Sequence, residues 1–391
     1  MRHYAYVIIG GGMAADAAVK GIRAIDEEWG ICVIGSESFP PYKRPPLTKQ
    51  LWKGKPVESI WLGTSERGIT LELGRTVQNI DLANKRVAMD DGDEIGFDKL
   101  LIATGGTPRR LPFESEAIIY YRSFDDYNDL RRLTDGGSRF VVIGGGFIGS
   151  EIAAALAMNG KQAVMIFPDE AIGSSMYPHD LAEFVTQYYR EKGVEIVFGD
   201  TVVGGESCGG KHTVKTAAGR EIECDGIVAG IGITPNTQLA EAAGLPVDNG
   251  IQVDKHLRAG NPDVFAAGDV ANFHNPALDM RMRVEHEDNA VTMGKHAGEA
   301  MAGHVKAYSH LPYFYSDMFE LGYEAVGELD PRFETVSDWK EPFREGVVYY
   351  LHNGRVRGVL LWNVWDKVPA VRELIAEPGP FCAPDLKGRI S

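Results

Sequence analysis

The sequence predicts an α/β fold with two Rossmann-like, three-layer units and a smaller C-terminal α+β domain, on three observations. A strand, a glycine-rich turn, a helix and a second strand occur twice along the chain. Each of these units is followed by a hairpin and then by a buried strand that ends in a small-residue turn. From about residue 309 the chain becomes aromatic and β-rich.

The first unit runs from Tyr6-Val7-Ile8-Ile9 through Gly10-Gly11-Gly12-Met13-Ala14-Ala15 to Ile31-Cys32-Val33-Ile34. The second runs from Phe140-Val141-Val142-Ile143 through Gly144-Gly145-Gly146-Phe147-Ile148-Gly149 to Ala163-Val164-Met165-Ile166. The first glycine of such a turn permits a tight bend, and the second lets a pyrophosphate come close to the backbone. The third small residue, Ala15 or Gly149, lets helix pack on strand. The helix N-terminus then offers free N–H groups and partial positive charge to an anion. Each unit has an acid near the end of its second strand, Glu37 in one and Asp169-Glu170 in the other. One such fingerprint is weak, but two in full context predict two bound dinucleotides. A protein that holds two dinucleotides usually moves electrons between them.

The elements that follow repeat as well. Asp91-Gly92 marks a hairpin between Arg86-Val87-Ala88-Met89 and Glu94-Ile95, and Ala218-Gly219 marks the matching one. Residues 98–105 and 225–232 then read as buried strands ending in turns. Residues 262–269 form a third such piece, ending in Gly268-Asp269. A helix is expected over 287–301. In the last domain, strands over 347–351 and 356–362 flank the turn His352-Asn353-Gly354, and a short amphipathic helix is expected over 368–376.

Composition bounds the function. The chain has 391 residues, enough for two or three domains, and a formal net charge of −15, which argues against nucleic-acid binding through a broad basic surface. Four scattered cysteines, Cys32, Cys208, Cys224 and Cys382, include no CxxC pair. A disulfide framework, a metal site and a dithiol redox centre all lack support, and a reducing, cytoplasmic setting is expected. No apolar run is long enough to span a bilayer. The N-terminus faintly resembles a signal peptide, but Asp16 interrupts the apolar stretch, and a strand is the preferred reading.

Several local sequences point to a family. They are Pro41-Tyr42-Lys43-Arg44-Pro45-Pro46-Leu47-Thr48-Lys49, Ala103-Thr104-Gly105-Gly106, Ala267-Gly268-Asp269-Val270, Arg283-Val284-Glu285-His286, Gly322-Tyr323-Glu324-Ala325-Val326-Gly327 and Leu361-Trp362-Asn363. With the two turns, they make the chain resemble the FAD- and NAD(P)H-dependent pyridine nucleotide oxidoreductases. The likeness is greatest to apoptosis-inducing factor and the bacterial NADH-dependent ferredoxin reductases. The resemblance implies an FAD domain from residues 1–113 and 236–308, an inserted NAD domain over 114–235 and a C-terminal domain over 309–391.

It also implies roles. Gly10, Gly12, Ala14 and Ala15 approach FAD at the first turn, and Glu37 accepts the adenosine ribose hydroxyls, unless it is only a solvated loop acid. Arg44, Thr104, Gly105, Asp269, Glu285, His286 and Tyr315 lie about FAD or its ring. Gly144, Gly146, Phe147, Ile148, Gly149 and Gly232 bind NADH, with Phe147 against the nicotinamide or else a core contact. Asp169 or Glu170 binds the ribose 2′-hydroxyl and repels a 2′-phosphate, so NADH is expected over NADPH. Lys49 and Glu151 form an ion pair beside the flavin, where a cation favours added negative charge on the ring. By themselves they read as a surface lysine and an acid near a helix N-terminus. Tyr315 departs from the tryptophan common in relatives.

The expected function is hydride transfer from NADH to FAD, then electron transfer to an acceptor such as an iron–sulfur protein or a quinone. The alternative is an NADH-responsive redox sensor with slow turnover and a ligand-dependent change of oligomeric state, such as a homodimer. No metal, nucleic acid or membrane span is expected.

Overall fold

The computed structural model describes residues 2–113 and 115–390. Two compact units emerge. The first is built from Met1–Arg44, Val57–Thr107 and Thr234–Pro312, the second from Pro45–Pro56, Pro108–Ile233 and Tyr313–Ser391. Residue 114, where the expected NAD domain begins, lies outside the described residues.

In the first unit the strand Arg2–Ile9 pairs in parallel with Ile31–Gly35 on one side and Glu94–Ile102 on the other. Their apolar runs are continuous because both faces of the sheet are covered: Val7, Ile8, Val33, Leu100 and Leu101 have no exposed surface. Glu94–Ile102 is one nine-residue strand, where the sequence showed a hairpin arm and a separate buried strand. The physical reason is that one edge serves two partners. Gly96 to Glu94 pair with the hairpin strand Arg86–Met89, and Leu100 to Ile102 pair with Val264–Ala266. The helices Met13–Arg23 and Glu287–Met301 pack face to face. A Cβ on Gly294 or Gly298 would lie 2.3 or 2.1 Å from the carbonyl oxygen of Ala14 or Ala18, so small residues set the spacing of this pair.

The second unit contains a five-stranded parallel sheet in the order Glu195–Phe198, Gln162–Phe167, Arg139–Ile143, Gly226–Ala229, Ile118–Tyr120. The helix Phe147–Met158 follows its central strand and is buried almost throughout. A three-stranded antiparallel sheet carries the hairpin expected at Ala218-Gly219. The C-terminal part is a five-stranded antiparallel sheet in the order Tyr313–Met318, Leu321–Gly327, Arg355–Trp362, Glu345–His352, Glu334–Glu341. The helix Val368–Ala376 packs against it, its Val371 and Ile375 fully buried. Among the described residues no helix is long and apolar enough to cross a membrane.

Candidate functional site

The two glycine turns share one geometry. Gly10 has φ +123° and Gly144 φ +117°, and a Cβ at either would strike a neighbouring strand-end carbonyl, Ala103 O at 2.1 Å or Gly230 O at 2.4 Å. Both positions therefore require glycine. Gly12 and Gly146 each precede a helix as its N-cap, with no side-chain cap, and nothing lies within 4 Å of a Cβ built on either. Uncapped helix N–H groups with open space before them fit an anionic pyrophosphate at each turn. The third positions differ. Ala15 is accommodated with no exposed surface, whereas a Cβ on Gly149 would lie 2.0 Å from Gly144 O.

In the first unit, Glu37 is not a bare loop acid. Tyr42 Oη donates to its Oε2 at 2.5 Å, and Arg44 Nη2 donates to its Oε1. Burial works against the Arg44 charge, but Tyr42 and Glu37 outweigh it and hold the guanidinium protonated. Thr104 Oγ1 donates to Asn236 O at 2.8 Å, and Asn236 Nδ2 returns a bond to Thr104 O at 2.9 Å. Gly105, at φ +63°, accepts Asn236 N at 3.0 Å. Asp269 is half-buried in the turn Gly268–Val270. Arg283 donates to the Asp269 backbone carbonyl at 3.1 Å and to Glu285 at 2.6 Å. His286 is the N-cap residue of the helix Glu287–Met301.

In the second unit, Asp169 and Glu170 are exposed just beyond the strand Gln162–Phe167, and neither carboxylate has a hydrogen-bond or ion-pair partner among the described residues. They are free to take a ribose hydroxyl. Phe147 is half-buried, its ring 5.6 Å from that of Phe314 in an edge-on contact, and Ile148 is exposed. Gly232, at φ +88°, accepts Arg109 N at 2.9 Å through its carbonyl.

Lys49 and Glu151 come together as an ion pair. Lys49 Nζ lies 2.6 Å from Glu151 Oε1, with the two residues 7% and 4% exposed. The surface-lysine reading is thereby corrected: the turns after Arg44-Pro45-Pro46 fold Lys49 inward, with Lys49 N bonded to Pro46 O at 3.2 Å. The carboxylate also accepts Thr48 Oγ1 at 2.5 Å and Ser316 Oγ at 2.6 Å. Tyr315 places its ring 5.1 Å from Lys49 Nζ, a cation–π contact. Nearby, burial, then Tyr177 and Glu151, push the Tyr323 hydroxyl well above the ordinary tyrosine range, so it stays neutral.

Sequence reading did not assign Thr48, Ser316, Tyr42 or Asn236 to the site. Ser316 left one trace: it is a polar residue at an inward position of an alternating strand, where only 1% of it is exposed. Among the described residues no group of three or more His, Cys, Asp or Glu could hold a metal ion.

Comparison with known proteins agrees with this architecture. Residues 4–294 match the model of the family described as pyridine nucleotide-disulphide oxidoreductase. Residues 297–342 and 337–377 match that of the apoptosis-inducing factor, mitochondrion-associated, C-terminal domain. Apoptosis-inducing factor 1, mitochondrial, of Dictyostelium discoideum is 35% identical over 96% of this chain and 79% of its own. Putidaredoxin reductase of Pseudomonas putida is 32% identical over 98% of this chain and 94% of its own. The solved structure of a covalent putidaredoxin reductase–putidaredoxin complex superposes with a TM-score of 0.89 at 30% identity, covering 98% of this chain and 95% of that one. With both glycine turns shaped for dinucleotides and the family model spanning most of the sequence, the chain belongs to the pyridine nucleotide-disulphide oxidoreductase family, as an oxidoreductase that uses FAD and NAD(H).

Proposed function

We propose that this chain is an NADH-preferring reductase that passes electrons to a small ferredoxin-type iron–sulfur protein. The observation that carries the redox part of this reading is the buried Lys49–Glu151 pair. Desolvating an ammonium is costly, and simple nucleotide binding gives no use for it. A charge that acts on a redox ring does. When bound, FAD supplies the two-electron centre that takes hydride from NADH and releases electrons to the acceptor.

The chain's own residues bind, orient and tune. The turn at Gly10, Gly12, Ala14 and Ala15 holds the FAD pyrophosphate. Glu37, oriented by Tyr42 and Arg44, accepts its ribose hydroxyls, and Thr104, Gly105, Asp269, Glu285 and His286 line its path. The turn at Gly144, Gly146, Ile148 and Gly149, with Gly232, holds NADH, and Phe147 meets the nicotinamide. Asp169 or Glu170, free of other partners, takes the 2′-hydroxyl and disfavours a 2′-phosphate. Lys49 presents positive charge to the flavin, and Glu151 holds it in place. In this proposal residues 1–113 with 236–308, 114–235 and 309–391 are the FAD, NAD and C-terminal domains, working in a reducing, cytoplasmic setting.

The likeness to putidaredoxin reductase supports a protein acceptor. The absence of a CxxC pair from the sequence argues against a dithiol relay. A quinone is the second acceptor to test. The match to the apoptosis-inducing factor C-terminal domain supports the alternative, an NADH-responsive sensor that changes oligomeric state and turns over slowly. Anaerobic NADH titration followed by reoxidation with ferredoxins, quinones and disulfides separates these readings. A reductase turns over with one acceptor many times faster than with oxygen. A sensor forms a long-lived charge-transfer complex and changes mass with NADH. Efficient turnover of a disulfide would overturn the proposal.

A further inference from the structure

Glu151 is shared among more partners than an ion pair needs. Its Oε1 accepts both Lys49 Nζ and Ser316 Oγ, each at 2.6 Å, and its Oε2 accepts Thr48 Oγ1 at 2.5 Å. Thr48, Lys49, Glu151 and Ser316 are 6%, 7%, 4% and 1% exposed, so water does not dilute these bonds. The donors come from distant parts of the chain: the segment 45–56 and the strand Tyr313–Met318. Ser316 adjoins Tyr315, whose ring faces the Lys49 ammonium at 5.1 Å.

A carboxylate divides its negative charge among the donors it accepts. Hydrogen bonds to ionised groups are strong, and a low local dielectric strengthens them further. A hydroxyl on the oxygen that binds Lys49 therefore weakens the hold of Glu151 on the ammonium and leaves more of its positive charge unneutralised. We propose that Ser316 and Thr48 are positioning residues that set the net charge Lys49 presents to the flavin, by competing with it for Glu151. This rests on the reading that Lys49 acts on the flavin.

Glu151→Gln removes the counter-charge, leaves Lys49 more positive and raises the flavin potential. Ser316→Ala removes a competitor, lets Glu151 neutralise Lys49 more fully and lowers the potential. Thr48→Val acts in the same direction from a different segment. A mere packing defect gives no reason for opposite shifts within one cluster.

The test is the flavin midpoint potential of the FAD-loaded full chain. It is measured against reference dyes during slow enzymatic reduction without NADH, so that nucleotide binding does not enter. Ser316→Ala and Thr48→Val are expected to shift the potential to more negative values, and the double variant further. Ser316→Thr, which keeps the hydroxyl, should restore the native value, and Glu151→Gln should shift it positive. Flavin reduction by NADH in a stopped-flow instrument should slow by about threefold to tenfold per hydroxyl removed, the scale of one hydrogen bond. If Ser316→Ala does not hold flavin, Thr48→Val carries the same test. The inference falls if Lys49→Ala moves the potential while Ser316→Ala and Thr48→Val do not, or if these move it in the direction of Glu151→Gln. If Lys49→Ala leaves the potential unchanged, the role of Lys49 fails, and this inference with it.

Discussion

Lys49→Met keeps the length and apolar body of the side chain and deletes its charge. The partner, Glu151, is 4% exposed and sits 2.6 Å from the lost ammonium. Breaking a buried ion pair from one side costs about 3–5 kcal/mol, because a charge is left behind without its counter-ion. Here two hydroxyls remain on the carboxylate, Thr48 at 2.5 Å and Ser316 at 2.6 Å. They soften the loss, which places the expected cost near the lower bound, about 3 kcal/mol. Adding Glu151→Gln removes the stranded charge while keeping shape and an acceptor oxygen, and should return about 2 kcal/mol of it. The assay is urea unfolding at fixed excess FAD, since bound ligand shifts apparent stability and must be held constant. Tryptophan fluorescence reports on the same unit through Trp52 and Trp362, which are 4% and 0% exposed. A cost below about 1 kcal/mol for Lys49→Met, or strict additivity of the two changes, would refute the reasoning. Water would then be reaching Glu151, and the pair would not be a desolvated one.

Further outcomes are expected elsewhere. Either Asp169→Ala or Glu170→Ala should cut the ratio of kcat/KM for NADH over NADPH by about fivefold to 150-fold, the loss of one hydrogen bond that leaves its partner unpaired; an unchanged ratio in both variants would show that neither acid discriminates. Gly149→Ala drives a Cβ to 2.0 Å from Gly144 O, so it should cost about 1–3 kcal/mol of stability and raise the KM for NADH, and a native KM would count against the role of this turn. Asp225 accepts Ser138 N at 2.7 Å, Arg139 N at 3.0 Å and the Lys211 ammonium. Lys211 first, then those backbone N–H groups, hold its carboxyl well below the ordinary range. Its contribution is complete above the unfolded pKa of about 3.9 and is lost as the pH falls through the lower folded value. Asp225→Asn should therefore lower stability at pH 7 by about 1–2 kcal/mol and flatten the acid limb of the unfolding profile, and an acid limb identical to that of the native protein would contradict this assignment.

Local physics was legible in the sequence wherever a residue type has only one use. The turns at Gly10 and Gly144 were readable because a tight bend against a strand-end carbonyl admits no side chain. The helices Glu287–Met301 and Val368–Ala376 fall where patterning placed them, since their buried faces recur with helical period. The hairpins at Asp91-Gly92, Ala218-Gly219 and Asn353-Gly354 were fixed by turn residues that accept positive φ. From these alone came the α/β class and the duplicated dinucleotide units; that the two dinucleotides are FAD and NADH came from the family resemblance.

What only the tertiary structure decided is who meets whom across long stretches of chain. Glu94–Ile102 is one strand because two partners, one distant in sequence, share its edge, and local propensity does not carry that information. Glu37 is held by Tyr42 and Arg44 through side chains whose direction depends on the fold of the intervening loop. Lys49 is buried, although its composition alone favours the surface. Its burial depends on Glu151, 102 residues away, and Glu151 is further satisfied by Ser316, 165 residues beyond it. A buried charge is tolerated only when its partners are assembled around it, and such an assembly exists only in the folded chain.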